Sequence, residues 1–132
     1  MNILLDTNIL MVPGLFGVDI FGEIERIIAS PYRLIILEGS VVELRRIQEE
    51  APAGKDGKAA TIALKLLEVQ HIENKHSIGH VDDAIVAYAK NNTGTIVATS
   101  DRALKDRLAH EGIGCIVLRS KSHLGLISAK EA

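Results

Sequence analysis

One cysteine, Cys115, stands in the chain of 132 residues, so neither an internal disulfide nor a cysteine-rich zinc site can form. It sits in an apolar, strand-like run, where a small buried hydrophobe is expected, and a reducing cytoplasm is its natural compartment. Aromatic residues make up 3% of the chain and tryptophan is absent, which leaves little for the base stacking many single-strand binders use. Neither sign of charge dominates: 15 Lys and Arg face 17 Asp and Glu, a net −2. A protein that neutralises many phosphates shows a basic excess, at least locally, so bulk charge does not announce a nucleic-acid binder. No apolar run reaches the ~18 residues of a membrane span. The opening Met-Asn-Ile-Leu-Leu-Asp has neither the basic start nor the long apolar stretch of a signal peptide, and no membrane partner is expected. The five histidines show no metal-ligand spacing. The stretches Gly14–Gly17 and Gly54–Gly57 lack the Gly-x-x-x-x-Gly-Lys-Ser/Thr pattern of a phosphate-binding loop.

What is present is a hydrophobic fraction of 47% with 24% charged residues, enough for one domain with a real core and no sign of disorder. Ile3 to Leu5 reads as a short buried strand ended by Asp6. Ile20, Phe21, Ile24, Ile27 and Ile28 recur at helical spacing within 18–29, and Ser30-Pro31 ends that helix. Leu34 to Leu37 reads as a strand buried on both faces. A helix opens at Gly39-Ser40 and runs to Glu50, the Ala51-Pro52-Ala53-Gly54 break follows, and a second helix spans 58–69 with a short strand near 70–73. Beyond Gly79 the pattern gives a helix over 81–91, a strand over 95–98, a helix over 101–111 and a strand over 113–118. The stretch 119–132 reads as a tail of uncertain structure behind a core of about 1–118. Strands alternating with helices predict a three-layer α/β/α fold with a central, mainly parallel, twisted sheet. In such sheets ligands bind beyond the carboxyl ends of the strands, at the switch point.

That is where the acids fall. Asp6 and Asp101 each follow a strand, Glu43 lies in the first turns of a helix after a strand, and Asp82 and Asp83 lie in the first turn of the helix at Val81. Each has an ordinary reading alone, since acids favour helix N-termini, and Ser40-x-x-Glu43 fits a capping box. The set asks for more. Clustered carboxylates raise one another's pKa unless a positive charge lies among them, and hard divalent cations prefer such oxygens. A cation there activates water and stabilises in-line displacement at phosphorus.

The residues resemble a known family in four places. Leu4-Leu5-Asp6-Thr7-Asn8-Ile9-Leu10, Val41-Val42-Glu43-Leu44, Asp82-Asp83-Ala84-Ile85-Val86-Ala87-Tyr88-Ala89 and Thr99-Ser100-Asp101-Arg102-Ala103-Leu104 resemble, in order, the motifs of PIN-domain ribonucleases. The resemblance implies a metal-dependent endoribonuclease using Mg2+ or Mn2+. It implies catalytic acids at Asp6, Glu43, Asp83 and Asp101, all metal ligands together with Asp82; of the doubled acid, Asp83 fits best because it precedes the Ala-Ile-Val-Ala run. Asn8 would orient Asp6 or a metal-bound water, and Thr99 or Ser100 would hydrogen-bond near Asp101. RNA is the implied substrate, with a homodimer and an antitoxin or ribosome-assembly partner as implied associations. The doubled Asp and the Thr-Ser-Asp-Arg ending are closer to the rRNA-processing branch than to VapC-type toxins.

Arg45, Arg46 and Arg102 are the candidates for phosphate contact. A haloacid-dehalogenase-type phosphatase also places an Asp after its first strand, but it needs a second Asp two positions on, where this chain has Asn8. A non-catalytic RNA-binding or scaffold protein that retains the fold is the alternative, favoured by the mild negative charge and opposed by the complete acidic set.

Overall fold

The computed structural model describes residues 1–128; the last four positions of the expected tail, 129–132, lie outside them. In chain order the elements are β1 (Asn2–Leu5), α1 (Thr7–Phe16), α2 (Ile20–Ile27), β2 (Arg33–Leu37), α3 (Glu38–Glu50), α4 (Lys55–Val69), β3 (Glu73–Lys75), α5 (Val81–Asn91), β4 (Thr95–Ala98), α6 (Arg102–His110), β5 (Cys115–Arg119) and β6 (His123–Ile127). The strands form one sheet in the order β3-β2-β1-β4-β5-β6. All neighbours pair in parallel except β5 and β6. The expected mainly parallel α/β/α architecture is the one observed.

The period-2 alternation of the strands divides the core into two layers. Ile3, Leu5, Ile36, Ala98 and Ile116 face the layer built by α1, α2, α3 and α4. Leu4, Ile35, Leu37, Val97, Cys115 and Val117 face the layer built by α5 and α6. Central strands covered on both sides must therefore be apolar throughout, and Ile3, Leu4 and Leu5 are fully buried, each worth about 1.5–3 kcal/mol against exposure. Cys115 lies in the second layer, and burial pushes its thiol up to about 11, so it packs as a hydrophobe.

Helix α1 escapes a periodicity reading because it is apolar nearly all round, with Pro13 and Gly14 inside it. Such a helix belongs in the interior. Its Ile9, Leu10 and Val12 are buried against the Ala59, Ala60 and Ala63 stripe of α4 and other core residues. Gly17 closes it in the left-handed conformation (φ 68°), donating its N–H to the Pro13 carbonyl at 2.9 Å. At Gly14 the two helices approach closely: a Cβ placed there would lie 2.6 Å from the Ala59 Cα. Gly14→Ala is therefore expected to lower the melting temperature by roughly 4–12 °C, an overpacking cost of about 1–3 kcal/mol, measured by circular dichroism. An unchanged melting temperature would show that α1 and α4 can separate freely.

The stretch after residue 118 is not loose. Its 123–127 portion forms β6, whose Leu124 is buried in the first layer. The outward backbone of Leu124 is closed by side chains of α2. Glu23 accepts the Leu124 N–H at 3.0 Å, and Arg26 donates to the Leu124 carbonyl at 3.0 Å while holding Glu23 at 2.9 Å. The pair occupies the place of a neighbouring strand, a way of blunting an exposed sheet edge. The Arg26 and Leu124 donors hold the Glu23 carboxyl down at about 2.

Other differences are at boundaries. β3 begins three residues after the end-on expectation, at Glu73, because α4 continues to Val69 and a turn at Gln70–His71 intervenes. Helix α3 begins at Glu38 rather than at Gly39-Ser40, with no side-chain cap of its own. The capping box of Ser40 and Glu43 does not form. Ser40 is buried in the first turn, and the Gly39 N–H is accepted instead by Ser77 Oγ at 3.0 Å. No single helix among the described residues is long and apolar enough to cross a membrane; α1 and α2 reach that length only together, across a 116° bend.

Candidate active site

The sheet order makes β1 and β4 neighbours although the chain visits β2 and β3 between them. Connections leave β1 toward one edge and return to β4 toward the other. This is the switch point, where the carboxyl ends of two adjacent strands leave a crevice. Asp6 follows β1, and Thr99, Ser100 and Asp101 follow β4.

Asp6 is 5% exposed. Its Oδ1 accepts the Thr7 N–H at 2.8 Å and its Oδ2 accepts the Thr99 hydroxyl at 2.8 Å. Burial pushes the Asp6 carboxyl up from 3.8 to about 6; the Thr99 and Thr7 donors pull it down, and the charges of Asp82 and Glu43 push it up again. An acid buried with two other acids in electrostatic range, and no cation among those influences, is a poor arrangement for a purely structural carboxylate.

Thr99 is fully buried and uses all the capacity of its hydroxyl. It donates to Asp6, accepts the Asp101 N–H at 3.0 Å, and accepts Asn8 Nδ2 at 3.5 Å. Asn8 in turn accepts the Ser100 N–H at 2.9 Å. The turns after β1 and β4 are thus stitched together around one hydroxyl. Asp101 caps α6, accepting the Leu104 N–H at 2.9 Å through Oδ1. Thr99→Val would leave Asp6 Oδ2 without its donor and the Asp101 N–H without its acceptor. It is expected to cost about 2–4 kcal/mol in denaturant unfolding and to move the Asp6 titration above about 6. Thr99→Ser should restore both; failure of Ser to do so would mean the methyl packing, not the hydroxyl, matters.

The doubled acid of α5 divides. Asp82 is half-buried and its charge bears on Asp6. Asp83 is 65% exposed and forms an ion pair with Arg107 of α6 at 2.9 Å. The expectation favouring Asp83 meets a different arrangement: one residue along a helix is about 100° around it, and here Asp82, not Asp83, shares the sheet-facing side. Among the described residues no three His, Cys, Asp or Glu side chains stand close enough to hold a metal as they lie. Asp83 turned to Arg107 and Asp101 engaged as a cap account for two of the expected ligands. The donors nearest Asp6 in charge, Glu43 and Asp82, are all-oxygen, the kind a hard divalent cation takes.

Beside these acids runs a groove of about 740 Å³ lined by Glu43, Arg46, His80, Asp82, Asp83 and Arg107 among others. Of the arginines expected at phosphates, Arg46 lies in this groove and is paired with Glu50 at 3.0 Å. Arg102 is exposed beside Asp101 at the start of α6. Arg45 lies elsewhere, over an apolar-floored depression with Leu64, Leu67 and Ile72. Sequence reasoning did not single out Arg107 or Ser77. Each meets its partner across a long separation that carries no local signal.

Comparison with known proteins agrees with this geometry. Over 119 residues the chain is 31% identical to ribonuclease VapC4 of Methanocaldococcus jannaschii, covering 89% of this chain and 90% of that protein. Its fold is similar to the solved structure of the PIN domain endonuclease Utp24, with a TM-score of 0.78 at 20% identity over 96% of this chain and 92% of that one. It is similar also to a domain of a protein of unknown function from Methanocaldococcus jannaschii, with a TM-score of 0.62 at 21% identity over 90% and 91%. Residues 3–121 match the family model described as a PIN like domain, and the chain belongs to that family.

Proposed function

We propose that the protein is a divalent-metal-dependent endoribonuclease that hydrolyses phosphodiester bonds of single-stranded or structured RNA. The observation that carries this reading is Asp6: buried at the switch point, raised to about 6, and facing the charges of Asp82 and Glu43. Its support from relatedness is the ribonuclease that shares nearly the whole length of the chain. Mg2+ or Mn2+ would be held by Asp6, Glu43 and Asp82, and when bound supplies activation of water and charge stabilisation at the phosphorus. Thr99 keeps the Asp6 carboxylate in one orientation and leaves each of its oxygens a free lone pair. Asn8, through Ser100, fixes the distance between the two strand ends from which Asp6 and Asp101 project.

The deciding experiment is cleavage of a labelled single-stranded RNA with Mg2+, Mn2+ or EDTA, by the natural protein and by Asp6→Asn. Metal-dependent cutting that falls at least ten-fold in the variant is expected. A well-folded protein that binds RNA but cuts none under any metal supports the scaffold reading, for which the outward turn of Asp83 toward Arg107 speaks. Two biological roles fit the nuclease. Growth arrest on expression, relieved by a cognate antitoxin, marks the toxin; accumulation of an rRNA precursor on depletion marks processing.

A further inference from the structure

The groove beside the acids is lined by four carboxylates, Glu38, Glu43, Asp82 and Asp83, and by two guanidinium groups, Arg46 and Arg107. A polyanionic strand entering it meets net negative charge unless those two cations are available to it. Each is tethered by an acid: Arg46 to Glu50 at 3.0 Å and Arg107 to Asp83 at 2.9 Å. Both partners of the second pair are well exposed, 48% for Arg107 and 65% for Asp83, and an ion pair in that setting is weak. The closest contact of the pair is Nη1 to Asp83 Oδ1, and a guanidinium carries five donors in its fork. A guanidinium held loosely by one carboxylate exchanges readily onto phosphate oxygens, which accept two parallel charge-assisted bonds.

The position of Arg107 is set from two sides. It lies six residues beyond the Asp101 cap of α6, about 9 Å along the helix axis. Asp83, on the neighbouring α5, is adjacent in sequence to the Asp82 whose charge bears on Asp6. Arg107 therefore stands almost two helical turns beyond Asp101, too far along α6 to serve as its partner, and lines the same groove as Glu43 and Asp82, where a phosphate next to the one being cut would lie.

We propose that Arg107 binds an RNA phosphate flanking the scissile one, and that Asp83 is its positioning residue, holding the guanidinium over the groove until phosphate oxygens replace the carboxylate. This rests on the ribonuclease reading and assigns Asp83 to substrate binding rather than to the metal.

The test uses two measurements on the full chain. The first is binding of a labelled single-stranded RNA by protein carrying Asp6→Asn, from 50 to 200 mM salt, with and without Arg107→Ala or Arg107→Lys. Arg107→Ala is expected to weaken binding about ten-fold and to reduce the salt slope by about 0.7, the release of one counterion from a single strand. Arg107→Lys should recover the slope and only part of the affinity, because it keeps the charge and loses the fork. The second is steady-state cleavage on the otherwise natural chain. Arg107→Ala should act mainly on KM. Asp83→Ala should raise KM about three-fold, Asp83→Glu should recover part of that, and the double variant should be no worse than Arg107→Ala alone, since the two act as one unit. An unchanged salt slope and KM in Arg107→Ala, in a protein that cuts RNA, overturns the proposal and leaves the nuclease standing. A parent protein that neither binds nor cuts RNA overturns both. Loss confined to kcat in Asp83→Ala, with KM unmoved, returns Asp83 to the metal and overturns its positioning role.

Discussion

Asp6→Asn is expected to reduce metal-dependent RNA cleavage by about a thousand-fold or more, the scale on which loss of a metal-activated nucleophile is felt, without lowering the melting temperature at pH 7.5 in EDTA. The second half of this expectation separates a functional acid from a structural one. Asp6 holds its proton to about pH 6 in the folded protein, against an ordinary value of 3.8. Between those two values the unfolded chain gives up the proton first, so the unfolded state binds fewer protons and stability falls as pH rises. The carboxylate at neutral pH thus destabilises the metal-free fold by about 3 kcal/mol, the cost of raising its pKa from 3.8 to about 6. An amide is free of that penalty and its oxygen can still accept the Thr7 N–H; the Thr99 hydroxyl loses its acceptor, a cost of about 1–3 kcal/mol that the relief offsets. Stability of the natural protein in EDTA should accordingly decrease from pH 4 to 6.5, and the variant should lose that dependence. Cation binding needs the ionised carboxyl, so at sub-saturating metal cleavage should fall as pH drops below about 6, and added metal should move that fall to lower pH. A variant that melts lower than the natural protein across this range, or that cuts RNA as well as it does, would remove Asp6 from the centre of the site.

Asp82→Asn should lower kcat by about a hundred-fold or more, whereas Asp83→Asn should cost less than ten-fold in kcat/KM. The contrast follows from the faces of α5. Asp82 stands three, four and seven residues before Ile85, Val86 and Ala89, the buried side of that helix, and those spacings fall on one face. Asp83 is rotated toward α6 and Arg107. Steady-state cleavage of one labelled RNA under saturating Mn2+ compares the two variants directly. The reverse ranking would show that Arg107 releases Asp83 when a cation binds and that the acid preceding the Ala-Ile-Val-Ala run is the ligand after all.

Much of this was readable from particular residues. Ile3-Leu4-Leu5 and Leu34-Ile35-Ile36-Leu37 could only be interior strands, and an acid directly after such a strand points to the sheet's carboxyl edge. The helical face that distinguishes Asp82 from Asp83 was also present in the spacing of Ile85, Val86 and Ala89, whereas the motif resemblance weighed only the Ala-Ile-Val-Ala run that follows Asp83. α1 was not readable in the same way. Its ten residues are apolar on most sides and contain Pro13 and Gly14, so neither a period nor a propensity marks it, and it is a helix because α4 offers it a stripe of alanines. β6 is a strand because β5 leaves an edge open and Glu23 with Arg26 close the other side.

The chain's local chemistry carries the alternation of strands and helices, the parallel sheet and the acids at strand ends, because hydrophobic period and turn residues act over a few positions. Which acids share a field is a matter of packing across long separations. Thr99 reaches Asp6 over 93 residues, Ser77 reaches Gly39 over 38, and Arg107 reaches Asp83 from a different helix. Those contacts depend on the relative placement of whole elements, which no short window of sequence encodes. They decide that Asp6 is a buried acid raised to about 6, that the charge of Asp82 bears on it, and that Asp83 pairs with Arg107.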